Sequence, residues 1–250
     1  MRFRLRAFGL HLSASLTLLA LTFGALYLGW YRWPGWYLAA AAHVVGIVML
    51  VDLVLGPTLT FIIANPNKPR RELARDLIII VTVQLAALVY GADTLWRGRP
   101  LYYTFSVNRL EMVVASDLKA SEIALARQQN PTLAPHWYER PRWIWAPLPD
   151  NTDEATKIVQ GTVFGGQDVI QMPRYFKPWE QGLSKLREQL LTVGEIKELS
   201  GAERAALQTR MLALGLASER RNALLLWGDS RRVLVIFDPA TLKIRAMLEP

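Results

Sequence analysis

The sequence predicts a membrane protein: three transmembrane α-helices, then an extracytoplasmic α+β domain that ends in an antiparallel β-meander. Three observations predict it. The first hundred of the 250 residues hold three apolar stretches, each long enough for a hydrocarbon core of ~30 Å, which takes about 20 helical residues. Basic residues cluster beside those stretches. The C-terminal end alternates short apolar runs with turn residues. The transmembrane region is expected at residues 1–99, with helices at about 8–30, 36–64 and 77–96, and the second domain at 100–250.

Charge separates the same two parts. The first hundred residues carry ten Lys/Arg against four acids, and the remainder nineteen against seventeen, so the net +8 divides into +6 and +2. No basic stripe interleaved with aromatics is present, which argues against a nucleic-acid partner. The chain has no cysteine, which excludes disulfides, thiolate metal sites and a thiol nucleophile.

The first helix follows Arg2, Arg4 and Arg6, as a signal peptide would, but its apolar run is too long and no small-x-small site closes it. It reads as an uncleaved anchor. Lys68, Arg70, Arg71 and Arg75 separate the second and third stretches, whereas the first connection carries only Arg32. Basic segments stay inside, so the N-terminus is expected in the cytoplasm and everything after about Arg97 outside it. Arg97 and Arg99 oppose this only weakly. Trp30, Tyr31, Trp33, Trp36 and Tyr37 crowd the outer turn, where amphipathic rings favour the headgroup layer.

In the outer domain, RLEMVVASDL reads as a strand entering a turn, with Ser116/Asp117 capping a helix through about Gln129. The segment 130–149, with five prolines and Trp137, Tyr138, Trp143 and Trp145, reads as extended, since proline blocks helix and central strand alike. It is either an aromatic peptide-docking surface or a loop pinned down by its rings. Helices are expected near Thr152–Val163, Gly182–Thr192 and Ala202–Gly215. ALLLW, VLVIF and LKIRAML, separated by GDSRR and DPAT, form the meander. The strand at Arg109–Ala115 is a candidate to join it.

Catalytic signatures are missing: no Walker loop, no GxSxG, no HExxH. His136 lies in the proline-rich segment and reads as a surface or packing histidine. No cofactor, metal or catalytic residue is assigned, and no enzymatic activity is expected. His11 and His43 differ too much in depth to share a haem: about 5 Å and about 20 Å above the inner edge.

Asp52 stands in the second apolar stretch, VDLVLGPTLT. It falls roughly 6 Å above the inner edge, near His11 and near Gln84 at about 10 Å. The three residues make one polar layer in the inner part of the bundle. A carboxylate in hydrocarbon faces the bundle interior or a partner. It can lock the helices through His11 or Gln84, move protons, or meet a polar group on another protein's helix. Pro57 leaves the carbonyl of Leu53 without its N–H, so the helix is expected to kink or loosen beside Asp52. Gly56 permits close approach of another helix. Gly56-Pro57 thus suits a helix-docking notch, or simply a kink that fits a long segment into a thin slab.

HLSAS, WYRWPGWY, VDLVLGPTLTFII, the basic loop with Lys68, RDLIIIVTVQLAALVYG and RPLYYTFSVNRLEMV follow in this order over roughly residues 8–115. In this succession the chain resembles the type IV pilin accessory proteins, also called pilin chaperones (the TfpX/TfpZ group). The resemblance implies a multi-pass protein of the bacterial inner membrane with a periplasmic C-terminal domain, which stabilises a type IV pilin subunit and influences pilus assembly. It brings no catalytic residues. The implied partners are the lipid bilayer and a pilin with an apolar transmembrane helix and a globular head. The expected partner site in the membrane is Asp52, Gly56, Pro57, Gln84 and His11, with Trp137, Tyr138, Trp143 and Trp145 as a possible outer surface. The alternatives are a membrane enzyme or helper acting on pilin modification, and a membrane-anchored sensor.

Overall fold

The computed structural model describes residues 1–250. It divides into two compact units: Met1–Arg32 with Ala40–Gly98, and Trp33–Ala39 with Arg99–Pro250.

The first unit is a bundle of α1 (Arg2–Gly29), α2 (Ala41–Ile63) and α3 (Arg70–Arg97), each long and apolar enough to cross a membrane. Of the 28 residues of α1 only Leu19 and Phe23 are buried. A helix apolar all round yet so little covered by protein needs lipid around it. Aromatic pairs mark the two ends. Phe8 meets Phe61 edge-on at 6.3 Å, and Trp30 meets Trp96 at 5.1 Å. α2 therefore runs antiparallel to α1, and α1 and α3 run parallel.

The second helix departs from expectation. It does not begin at Trp36. Gly35–Leu38 forms a separate helical turn, and Ala40 adopts a left-handed backbone with φ 48°. That break moves the start of α2 five residues on, about 8 Å along the axis. Within α2, Leu50–Leu55 is wound as a π-helix, closed by the Gly56 N–H donating to Val51 O. Pro57, buried in the next turn, has no N–H for the ordinary α-helical bond to Leu53. The loosening anticipated from Gly56-Pro57 thus surrounds Asp52.

The expected aromatic belt is also different. Tyr31 is buried and its hydroxyl donates to Leu95 O. The turn 33–39 belongs to the globular unit. Leu38 is fully buried in that unit's core, Tyr37 lies under the Arg231 guanidinium, and the Gly35 backbone bonds Tyr103.

The globular unit is built on a seven-stranded sheet. Its strands are β1 (Pro100–Ser106), β2 (Arg109–Val114), β3 (Arg142–Trp145), β4 (Lys177–Pro178), β5 (Ala223–Trp227), β6 (Arg232–Phe237) and β7 (Ile244–Leu248). Their order is β4-β3-β1-β2-β5-β6-β7. The meander β5-β6-β7 is antiparallel as expected and joins β2 in parallel. β1 and β3 were not expected. β1 is buried along its whole length, so it lacks the alternation that reveals a half-buried strand. β3 pairs in parallel with β1. Pro141 and Pro147 bracket its four residues without entering them, so the proline argument against a strand does not reach RWIW.

Helices α4 (Ala120–Gln129), α5 (Thr152–Val163), α6 (Leu183–Gln189) and α7 (Gly201–Ala213) connect the strands. Their starts follow local chemistry. Asn151 accepts from the N–H groups of Asp153 and Glu154, and Ser200 forms a reciprocal capping box with Glu203. Ser116/Asp117 do not cap α4 as expected. Asp117 instead accepts from the Val114 N–H, closing a short turn, and α4 starts after Lys119.

Side chains alternate across the sheet. Tyr103, Phe105, Leu226, Val233 and Val235 face one core with Leu38. On the other face Tyr102, Val113 and Ile144 pack with Ile158 of α5, and Leu225, Leu234 and Ile236 with Leu207 and Met211 of α7.

The β6–β7 turn depends on Asp238. Its carboxylate accepts from the N–H groups of Ala240 and Thr241 and from Arg245. The Thr241 N–H foremost, then Arg245, holds its pKa below the usual carboxylate range. A depressed folded pKa contributes stability above the unfolded value, about 4, and loses it as pH falls toward the folded value. Asp238→Asn should therefore lower Tm at pH 7, and the gap from wild type should narrow below about pH 4. Paired thermal melts across pH check this.

Candidate functional site

Asp52, Gly56 and Thr60 recur every four residues on α2 and are all buried. That spacing places them on one face. α1 brings His11 to this face and α3 brings Gln84. His11 Nε2 lies 2.7 Å from Gln84 Oε1, and His11 Nδ1 lies 2.6 Å from Thr60 Oγ1. Gln84 Nε2 donates to the Asp52 backbone carbonyl at 3.0 Å.

These contacts fix a direction. With the Gln84 amide nitrogen donating to Asp52, its oxygen must accept from His11 Nε2–H. His11 Nδ1 pairs with the Thr60 hydroxyl on the other side of the ring. The chain runs Thr60, His11, Gln84, Asp52 and ties all three helices together. Thr60 was not among the residues expected here, although its four-residue spacing from Gly56 was visible.

The polar layer lies farther along α2 than its sequence position suggested. Asp52 is eleven residues from either end of Ala41–Ile63, about 16 Å each way, rather than near the inner margin. Gln84 is likewise midway along α3.

Gly56 and Pro57 do not form an open notch. Both are buried, and a Cβ on Gly56 would overlap the Gln84 carboxamide. The close approach that glycine allows is made by the protein's own α3. The open feature is a cleft of about 140 Å³ beside it. Ala14, Ser15 and Leu18 of α1 and Val81 and Leu85 of α3 line it, with His11, Gln84 and Asp52. Leu18 and Leu85 are exposed, so the cleft opens on the bundle surface. Asp52 is only 3% exposed, and its Oδ1 has no hydrogen-bond partner.

His43 is exposed and apart from this group. No three His, Asp or Glu side chains converge to hold a metal ion.

The four aromatics of the proline-rich segment are divided. Trp137 and Tyr138 are 67% and 61% exposed, and His136 stacks on Tyr138. Trp143 and Trp145, expected on the same surface, sit half-buried in β3. Trp143 packs on Tyr103 and Trp179, and Trp145 lies under Lys177. These contacts tie both rings into the domain.

The fold defines a polytopic membrane protein with a mixed α+β globular domain and a polar centre within its helix bundle. The chain is similar to fimbrial assembly proteins of Dichelobacter nodosus. The serogroup I protein is 28% identical over 183 residues, 72% of this chain and 68% of its own length. The serogroup E1 protein is 25% identical over the same shares. The protein of serogroups C1 and C2 is 30% identical over 118 residues, 47% of this chain and 90% of its own. This chain belongs to the fimbrial assembly protein family, the type IV pilus accessory group that its motifs resemble. No family model matches the chain, and no solved structure does.

Proposed function

We propose that the protein serves pilus assembly as a membrane chaperone that holds a pilin subunit, without catalysing a reaction. The observation that carries this reading is the cleft between α1 and α3. It sets an unpartnered carboxylate oxygen behind an apolar, exposed rim of Leu18 and Leu85. Such a surface suits an apolar helix bearing a polar group. The relatives are named for fimbrial assembly, and the pilin of such a system carries an apolar helix and a globular head. In this reading the bundle takes the helix and the globular domain contacts the head. In this reading the N-terminus lies in the cytoplasm and the globular domain in the periplasm of the inner membrane, which the basic segments at Arg2–Arg6 and Lys68–Arg75 support.

Photo-crosslinking in native membranes tests it, with probes at Leu18 and Leu85 and a control at the exposed Ile47 of α2, which is outside the cleft. Pilin should be the main product at the two rim positions and scarce at Ile47. Capture of lipid or of the protein itself alone at all three would overturn the reading.

A further inference from the structure

We infer that the cleft recognises a hydrogen-bond donor on the partner's transmembrane helix, a hydroxyl, carboxamide or amino group, and that Asp52 Oδ1 is its acceptor. The inference rests on the proposed helix-binding role of the bundle.

The hydrogen-bond chain passes Oδ1 by. It ends on the Asp52 backbone carbonyl, and the carboxyl oxygen Oδ1 has no partner. Thr60 pairs with His11, His11 gives to Gln84, and Gln84 gives to the Asp52 backbone carbonyl. Oδ1 is thus a buried acceptor without a donor. An apolar residue there would cost the bundle less than a buried, unmatched oxygen. Asp52 is therefore placed for something that arrives.

Depth selects the source of the donor. Asp52 lies about 16 Å from both ends of α2, near the middle of a ~30 Å hydrocarbon core, beyond the reach of lipid headgroups. A donor at that level travels on a protein helix. Size restricts it further. The cleft of about 140 Å³ holds a few water-sized groups, each about 30 Å³. That admits a small polar side-chain end, while the apolar body of the partner helix rests on Leu18 and Leu85. The wider π-helical winding of Leu50–Leu55 carries Asp52. Such windings are frequent at functional sites.

The test uses the full-length protein in native membranes, with the crosslinker at Leu85 and variants Asp52→Leu and Asp52→Asn. The same variants are unfolded in micelles to follow the bundle. Asp52→Leu should lower pilin capture about tenfold, the effect of one good hydrogen bond to a charged acceptor. Bundle stability should stay unchanged or rise. Asp52→Asn keeps an acceptor oxygen and should retain capture within about threefold. Unchanged capture by Asp52→Leu would overturn the inference and leave the helix-binding role standing. Capture and bundle stability falling together would make Asp52 an internal lock and overturn it too. No pilin captured by the wild type would remove the helix-binding role itself, and the inference with it.

Discussion

Replacing Glu122 by alanine is expected to destabilise the globular domain by about 3 kcal/mol. Glu122 sits on α4 and is only 6% exposed. Arg174 donates through one nitrogen to both carboxylate oxygens, at 2.9 and 3.0 Å. α4 packs on the turn that carries Arg174, so the pair joins two segments about fifty residues apart in the chain. Truncating Glu122 leaves a guanidinium unpaired in a partly buried place. Breaking one side of a buried pair costs about 3–5 kcal/mol. The lower end applies because the Arg174 side chain is 19% exposed and keeps its stack on the Tyr175 ring at 4.7 Å. For a domain of about 150–250 residues the loss amounts to roughly 6–12 °C in Tm. Heating the full-length protein in micelles and following proteolysis of the globular domain reads it out. Adding Arg174→Met to Glu122→Ala should restore much of the loss, because it removes the stranded charge.

The second large effect is expected at Gly56. In an ordinary helix, alanine is better than glycine by about 1 kcal/mol. Gly46 and Gly24 have nothing within 4 Å of an added Cβ, so alanine at either should be neutral or stabilising. At Gly56 the sign should reverse. The Cβ would overlap the Gln84 carboxamide, which must leave and give up its bonds to His11 and to the Asp52 carbonyl. Interhelical hydrogen bonds in membranes are worth about 0.6 kcal/mol each, and overpacking costs about 1–3 kcal/mol. A loss of about 2 kcal/mol in detergent-induced unfolding is therefore expected for Gly56→Ala. Adding Gln84→Ala should return the overpacking part, and a double-mutant cycle measures it. If Gly56→Ala behaves like Gly46→Ala, the close packing of α2 on α3 is not what requires the glycine.

Much of this protein was legible in the sequence because the signals are local. Three apolar runs, each bounded by charge or by turn residues, predict three helices with little competition. ALLLW, VLVIF and their turns predict the meander in the same way. Asn151 before α5 states a helix start in the chemistry of one side chain. Even the loosened turn beside Asp52 follows from one missing N–H at Pro57.

What failed lay where burial erased the pattern or where distance in the chain hid the partner. β1 is covered on both faces and shows no period. RWIW is a strand because β1 lies beside it, which no property of four residues announces. The aromatic turn at 33–39 looked like a headgroup belt because tryptophan and tyrosine suit lipid interfaces and protein cores alike.

That polar residues gather inside the apolar bundle follows from the sequence, since hydrocarbon leaves Asp52, His11 and Gln84 few other places to be. How they share their hydrogens follows from the packing of the three helices. Thr60, His11, Gln84 and the Asp52 carbonyl satisfy one another, Gly56 is filled by the protein's own α3, and one oxygen of Asp52 is left over beside the cleft. Hydrogen bonds are directional and finite in number. Which donor is used up depends on atoms brought together from three helices, and their spacing along the chain does not encode it.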